Sequence, residues 1–255
     1  MILMLGDIHG NLAHVQREIK NKKINNCTII QVGDFGIGTT SRDNCDRILK
    51  DLNHFLNLYD ITMYVIRGNH DDPFYFKGDH IFNNLKLLPD YTQIEVDGYN
   101  ILFVGGAVSV DRKVSLSKMQ LAASVGIKQN LYWFDEAFVL DENKLKDIKN
   151  VNMVVTHTAP EWCFPDNRSG FNDFVLGFAD NDDNLLTDLK EERDIVTKMF
   201  KILKENGNNI VKHYYGHFHR NEITLNGYTQ HILLGVGEFQ MVDQPTEQDY
   251  EALFN

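Results

Sequence analysis

Residues 2–10 of the chain read Ile-Leu-Met-Leu-Gly-Asp-Ile-His-Gly, a short apolar run followed by glycines and two polar side chains. The run Ile2 to Leu5 predicts a buried β-strand, because consecutive apolar residues bounded by glycine are typical of a strand covered on both faces. Asp7 and His9 follow this strand, and residues two apart in an extended segment project to the same side. The stretch therefore predicts a strand that delivers a carboxylate and an imidazole to one cavity.

The same arrangement recurs after four other predicted strands. Thr28 to Val32 precedes Asp34, Ile61 to Ile66 precedes Asn69 and His70, Val151 to Val155 precedes His157, and Val211 to Tyr215 precedes His217 and His219. Ligands gather at the carboxyl ends of strands in α/β sheets, so we expect these polar residues to converge on one rim although they lie far apart in sequence.

Helical segments separate the early strands. Apolar stripes follow the capping residues Asn11 and Ser41, which gives a βαβαβ order and predicts a parallel sheet. The pair Asp97-Gly98 predicts a hairpin that opens a second sheet, and a helix from about Asp188 to Glu205 precedes the last strands. The irregular stretch 158–186 is predicted to be a lid or specificity loop.

The chemistry of the polar residues is that of a metal centre. Taken singly, each motif is weak, since a Gly-Asp pair is usually a turn and a lone histidine after a strand usually has a structural role. Together, carboxylates, imidazoles and an asparagine carbonyl suit Zn, Fe, Mn or similar divalent ions. There are too many donors for one tetrahedral site, so two ions are predicted.

These motifs resemble those of the calcineurin-like metallophosphoesterases. The resemblance rests on Gly6-Asp7-Ile8-His9-Gly10, Gly33-Asp34, Gly68-Asn69-His70-Asp71, Thr156-His157 and Gly216-His217-Phe218-His219. It implies an α/β (α+β) fold of two packed mixed β-sheets flanked by helices, which we expect to form a single domain over residues 1–255. It also implies hydrolysis of phosphate esters, by a phosphatase or a phosphodiesterase.

The resemblance assigns roles to individual residues. It implies one metal held by Asp7, His9, Asp34 and His219, and a second held by Asp34, Asn69, His157 and His217. Asp34 would bridge the two ions, and a hydroxide between them would attack phosphorus. His70 resembles the family's general acid, and Asp71 is expected to orient its ring.

One departure from the family concerns the phosphate-binding arginine. Protein Ser/Thr phosphatases of the superfamily continue the second motif as Gly-Asp-x-x-Asp-Arg-Gly, whereas residues 33–39 here contain no arginine. Efficient phosphoprotein hydrolysis is therefore in doubt. Arg112 is the first candidate for compensating substrate binding, beside Asn69, with a surface salt bridge as the alternative reading. The other candidates are Arg67, Arg168 and Arg220.

The composition of the chain narrows the range of possible substrates. A formal net charge of -11 disfavours extended nucleic-acid binding, which requires clustered Lys and Arg, and favours a small molecule or a nucleotide. A nuclease, a phosphoprotein phosphatase and a non-enzymatic scaffold of the same superfamily are the alternatives. The three cysteines show no disulfide or zinc spacing, and no stretch reads as a signal or membrane span, so we expect a cytoplasmic protein without a membrane partner.

Two further features have simpler interpretations. The acidic run Asp180 to Asn184 mimics the spacing of an EF-hand, but Leu185 occupies the position where such a loop needs glycine, so we expect a solvated loop. The histidines outside the motifs are expected to be structural: His14, His54, His80, His213 and His231.

Overall fold

The structure is a computed structural model that describes residues 1–165 and 173–243. Its first sheet has the strand order β11-β1-β2-β3-β4. The strands are β1 (Ile2–Leu5), β2 (Cys27–Gln31), β3 (Ile61–Val65), β4 (Leu85–Leu87) and β11 (Phe239–Met241). Strands β1, β2 and β3 are parallel, as the sequence predicted. Strand β4, which is parallel to β3, and strand β11, which is antiparallel to β1, were not predicted from the sequence.

The second sheet has the strand order β5-β6-β7-β8-β10-β9. Its strands are β5 (Thr92–Val96), β6 (Tyr99–Val104), β7 (Met153–Thr156), β8 (Lys212–Tyr215), β9 (Glu222–Asn226) and β10 (Thr229–Leu233). The predicted hairpin joins β5 to β6, and its turn residues Asp97 and Gly98 both have positive φ, at 47° and 82°. Strands β6, β7, β8 and β10 run parallel, whereas β5 is antiparallel to β6 and β9 is antiparallel to β10, so this sheet is also mixed.

Within the part of the chain that the structure describes, six α-helices flank the sheets. They are α1 (Leu12–Asn21), α2 (Arg42–Leu58), α3 (Arg112–Ser124), α4 (Glu142–Lys146), α5 (Asp173–Ala179) and α6 (Leu185–Glu205). The predicted caps are present, because the side chains of Asn11 and Ser41 accept hydrogen bonds from the backbone N–H groups of His14 and Asn44. Helix α3 was not predicted, since it buries only Ser115 and lacks an apolar stripe.

The alternation of side chains along β1 explains how the layers stack. Ile2 and Met4 face the second sheet, whereas Leu3 and Leu5 face helices α1 and α2. The far side of the second sheet packs against α6, for example through Met199. Truncating a buried residue of the core between the sheets, such as Met4, to alanine is expected to cost about 2–5 kcal/mol of unfolding free energy. The fold is therefore two mixed sheets packed face to face with helices outside.

The stretch 158–186 differs from the irregular lid that the sequence predicted. Residues 166–172, and with them Arg168, lie outside the described residues. Before them, Ala159 and Cys163 are buried in an apolar cluster, and after them the chain forms α5 and begins α6. Removing the whole stretch would expose part of the core, and the role of the stretch as a lid or specificity loop stays a prediction.

Candidate metal centre

The seven predicted ligands lie in loops that follow the carboxyl ends of five parallel strands. Four of them have positive φ angles, which are uncommon for residues other than glycine: His9 at 45°, Asp34 at 54°, His217 at 71° and His219 at 51°. Such backbone conformations carry strain and persist where the surrounding structure fixes them, often at functional sites. Four of the ten non-glycine residues with positive φ among the described residues are predicted ligands at this rim.

The first group of converging side chains, the Asp7 cluster, consists of Asp7, His9, Asp34 and His219. One ligand atom from each lies within 4.8 Å of all the others. Nε2 of His9 is 2.9 Å from Nε2 of His219 and 3.8 Å from Oδ2 of Asp34. Nε2 of His219 is 3.4 Å from Oδ2 of Asp7. Two imidazoles and two carboxylates facing one point form a donor set that suits Zn, Fe or Mn.

The second group, the His157 cluster, consists of Asp34, His157 and His217, with Asn69 beside them. Nε2 of His157 lies 3.2 Å from Oδ1 of Asp34 and 3.1 Å from Oδ1 of Asn69. Nδ1 of His157 donates to the carbonyl oxygen of Val32 at 2.8 Å, and this bond fixes the ring with Nε2 facing the cluster. Asp34 belongs to both clusters, so the structure brings together all seven predicted ligands.

Two buried atoms in these clusters lack a partner among the described residues. They are Oδ1 of Asp7 and Nε2 of His217. Buried polar atoms in native proteins almost always have a hydrogen-bond partner, so two unsatisfied acceptors at one rim fit the binding of cations. Glycines also make room here: a Cβ on Gly216 would overlap Oδ1 of Asp7, and one on Gly68 would overlap Oδ1 of Asp34.

The electrostatics of the clusters favour unprotonated donors at several positions. Burial raises the pKa of Asp34, but the charge and hydrogen bond of His157 outweigh burial and hold that pKa well below its usual range. Burial lowers the pKa of His9, and burial together with the charge of His157 lowers the pKa of His217. For His157 burial acts in the same downward direction, but Asp34 prevails and raises its pKa to about 10. A divalent cation would compete with that proton for Nε2.

His70 lies at the edge of the Asp7 cluster, with its ring centroid 5.2 Å from that of His9. The prediction that Asp71 orients this ring was wrong. The two oxygens of Asp71 accept hydrogen bonds from the backbone N–H groups of Phe35, Gly36, Ile37 and Gly68, so the carboxylate joins the loops after β2 and β3. The carboxylate that faces His70 is Asp111, whose Oδ1 is buried, lacks a hydrogen-bond partner and lies 3.9 Å from Nε2.

Arg112 does not present a free guanidinium. Its Nε and Nη2 donate to Asp182 at 2.5 and 3.1 Å, and Nη2 also lies 2.6 Å from Oδ2 of Asp188. These carboxylates raise the pKa of Arg112 and neutralise its charge. The geometry favours the ion-pair alternative over substrate binding. Arg67 is buried and bound to Asp90.

Several residues next to the centre were not among the predicted site residues. Ser109 accepts a hydrogen bond from Nδ2 of Asn69 at 2.9 Å, and it contacts the buried carboxylate of Glu136. Burial, opposed by these two bonds from Ser109, raises the pKa of Glu136 to about 8. Ser109 and Asp111 lie just after β6, so their position behind an apolar strand was the only available hint.

A third group of potential ligands, Cys163, His213 and His231, lies away from the rim. Its histidines are already engaged: Nε1 of Trp162 donates to Nε2 of His231 at 3.1 Å, and Nδ1 of His231 lies 2.8 Å from Nδ1 of His213. Nε2 of His213 lies 2.7 Å from the hydroxyl of Thr156. Because an indole only donates, His231 donates to His213, and His213 donates to Thr156. Every imidazole nitrogen has a partner, so this group is a hydrogen-bonded chain.

A cavity of about 570 Å³ adjoins the centre. His9 and His70 form one side of it, and its other walls include Phe35 and Ile37 from the loop after β2 and Ile48 from α2. None of the described residues that line it is a carboxylate, a lysine or an arginine. Its size and lining suit an uncharged organic group of up to nucleoside size.

The chain belongs to the calcineurin-like phosphoesterase family, because a sequence model of that family matches residues 1–221. Members of this family use two divalent metal ions, and the Asp7 and His157 clusters fit that requirement. The family assignment supports a metal-dependent phosphoester hydrolase in general. No curated protein matches the chain.

Among the solved structures that are similar to this chain, three match over 92% of it. GAP50, the anchor in the inner membrane complex of Plasmodium, is 16% identical over 71% of its own length, with a TM-score of 0.43. A putative 5'-nucleotidase from Staphylococcus aureus is 13% identical over 48% of its length, and the phosphopantetheinyl hydrolase of Mycobacterium tuberculosis is 14% identical over 90%, both with TM-scores of 0.41. Similarity at this level does not indicate a substrate.

No helix among residues 1–165 and 173–243 combines the length and apolar content needed to cross a membrane.

Proposed function

We propose that this protein hydrolyses a small phosphate ester with two divalent ions. Asp7, His9, Asp34 and His219 would hold one ion, and Asp34, Asn69, His157 and His217 the other. The observation that carries the proposal is the pair of clusters sharing Asp34, with the buried acceptors Asp7 Oδ1 and His217 Nε2 left unsatisfied.

The bound ions would supply the chemistry of a two-metal site, namely a water of lowered pKa and charge stabilisation for an in-line displacement at phosphorus. The protein's own part is to hold the donors in place. Asp34 contributes both of its oxygens, since Oδ1 faces His157 and Oδ2 faces His9. The bond from His157 Nδ1 to Val32 keeps Nε2 directed at the centre.

His70 is the proposed general acid. Its imidazole is partly exposed at the rim, beside both His9 and the cavity, where it can reach a leaving oxygen. We assign the orienting role to Asp111 in place of Asp71, because the unsatisfied Oδ1 of Asp111 faces Nε2 of His70. Protonation of the leaving group by such a residue contributes about 10²–10⁴-fold to the rate.

The position of His70 also indicates where the organic part of the substrate lies. An acid must face the leaving oxygen, so the group attached to that oxygen would extend into the cavity that His9 and His70 border. Uncharged, partly apolar walls suit a nucleoside or another neutral organic group better than an acidic peptide. The ion pairs of Arg67 and Arg112 likewise give no support to a phosphoprotein substrate.

We also propose that the protein resides in the cytoplasm, which is a reducing compartment. Cys27, Cys45 and Cys163 are all buried and unpaired, which supports a protein kept away from oxidising compartments.

The decisive experiment is reconstitution. Metal-free protein would be loaded separately with Mn²⁺, Fe²⁺ or Zn²⁺, the bound metal counted, and hydrolysis of mono- and diester model substrates measured. We expect two ions per chain and metal-dependent turnover with at least one ester class. A chain that binds two ions but hydrolyses neither class would support the scaffold alternative, and one that binds fewer than two would contradict the assigned ligands.

A further inference from the structure

A buried chain of hydrogen bonds leads away from the predicted ligand Asn69. Nδ2 of Asn69 donates to Oγ of Ser109 at 2.9 Å. Ser109 in turn makes two bonds to one carboxylate, since its backbone N–H donates to Oε1 of Glu136 and its hydroxyl donates to Oε2, each at 2.8 Å. All three residues are buried, with no more than 3% of each exposed. The metal-centre role proposed above uses only the opposite end of the Asn69 amide.

The direction of these bonds decides which way the Asn69 amide faces. A serine hydroxyl has one hydrogen, and when Glu136 is ionised that hydrogen is committed to Oε2, because the carboxylate then has none of its own to donate. The hydroxyl oxygen can therefore only accept from its other neighbour, so the NH₂ group of Asn69 must face Ser109. The carbonyl Oδ1 of Asn69 is consequently turned toward His157, 3.1 Å from Nε2. The opposite orientation would set two acceptor oxygens against each other.

Glu136 is itself fixed from the same region of the chain. Its backbone carbonyl accepts a hydrogen bond of 2.6 Å from Nη1 of Arg67, which also donates through Nη2 to the carbonyl of Ala137 at 3.0 Å. Arg67 lies two residues before Asn69, so the ligand and the carboxylate that orients it are held by one rigid unit. Such a unit holds a ligand within the narrow tolerance that metal binding requires.

We infer that Ser109 and Glu136 are positioning residues that set the amide orientation of Asn69 and thereby the affinity of the ion in the His157 cluster. This inference rests on the proposed function. The competing interpretation is a polar network that only stabilises the fold. The two differ in what a change at Ser109 does to metal binding by molecules that remain folded.

The test uses Co²⁺ as the probe, titrated into metal-free protein and followed by its visible absorption, with competing chelator to obtain both affinities. Ser109→Ala and Glu136→Gln should each weaken one of the two ions by about 10–100-fold, the usual effect of removing a group that supports a metal ligand, and leave the other unchanged. Glu136→Gln keeps the shape of the side chain, but its NH₂ group would donate to the hydroxyl of Ser109. This would reverse the direction of the hydrogen bonds that run from Asn69 through Ser109.

The matched control is Thr197→Val, which removes another buried hydroxyl, one that accepts from the backbone N–H of Glu161. We expect Thr197→Val to lower stability without changing either Co²⁺ affinity. Ser109→Thr keeps the hydroxyl and is expected to retain both affinities. If Ser109→Ala and Glu136→Gln lower the melting temperature but bind both ions as the wild type does, the inference is overturned. If the wild type itself binds fewer than two ions, the proposed function fails first, and the two failures are thus distinguishable.

Discussion

The backbone N–H of His70 donates a hydrogen bond of 2.8 Å to Oδ1 of Asp34. The same oxygen lies 3.2 Å from Nε2 of His157. The carboxylate shared by the two clusters therefore also fixes the backbone of the proposed acid, so the loops after β2 and β3 act as one unit. A substitution at Asp34 or at His70 could therefore disturb the other residue as well. Metal content and turnover must be measured together to tell an effect on metal binding from an effect on proton transfer.

Replacing Asp34 by Asn should abolish turnover and weaken both ions. Asparagine keeps the volume and an acceptor for the His70 N–H, but it removes the negative charge shared by the clusters. The loss of metal affinity should exceed the effect of about 10–100-fold that is typical of removing a group that only supports a ligand. The measurement is metal content by elemental analysis alongside activity, with Asp51→Asn, a change to an exposed carboxylate on α2, as the control. Two tightly bound ions and normal turnover in Asp34→Asn would refute the shared role.

Replacing His70 by Ala should spare the metal content and slow the reaction according to the leaving group. An alkyl ester leaves as a poor, basic alkoxide and should lose about 10²–10⁴-fold in kcat, whereas a nitrophenyl ester needs little protonation and should lose much less. His219→Ala, which removes a proposed ligand, should slow both esters alike. A leaving-group series on each variant checks this, and an equal loss for all esters in His70→Ala would rule out the acid role.

Filling the cavity should affect large substrates alone. Ile48 lines the cavity from α2, and Ile48→Trp should raise KM for a bulky aryl phosphate by about 10-fold or more, because apolar contacts of a substrate group contribute roughly 1–3 kcal/mol. Methyl phosphate, which does not reach the cavity, should be hydrolysed as before. Lys50→Trp places the same side chain at an exposed position of α2 and serves as the control. Equal losses for both substrates would place the organic group elsewhere.

The hydrogen-bonded chain of His231 and His213 should make the fold sensitive to acid. Burial lowers the pKa of His231 to about 4, below the value of about 6.5 for an unfolded histidine. The unfolded state therefore binds more protons between these values, and stability falls as the pH drops through this range. Between pH 7 and pH 5 the His231 contribution is about 2 kcal/mol.

Urea unfolding of metal-free protein at both pH values measures this effect. His231→Gln removes the titrating group, so its stability should depend less on pH than that of the wild type. The histidines of the metal centre titrate in both proteins and cancel in the comparison. An unchanged difference between pH 7 and pH 5 in the variant would contradict the assignment.

The sequence by itself predicted the parallel strands β1, β2 and β3 and the polar residues at the strand ends, and the resemblance of these motifs to the family singled out seven candidate ligands. The strands and the polar residues depend on local patterns, namely an apolar run, a glycine and a polar residue at the strand end, as in Leu5-Gly6-Asp7. The hairpin at Asp97-Gly98 was predictable for the same reason, since the left-handed turn favours those residue types. The roles of the ligands remain proposals, although the structure brings all seven together.

Only the tertiary structure decided which groups support those residues. Asp71 adjoins His70 in sequence, yet its carboxylate binds the backbone around Gly36, 35 residues away, because the loops after β2 and β3 fold against each other. Ser109 contacts Asn69 across 40 positions and Glu136 across 27, and no spacing in the sequence encodes such pairs. Local patterns fix which residues a strand end presents, whereas their partners depend on how distant segments pack.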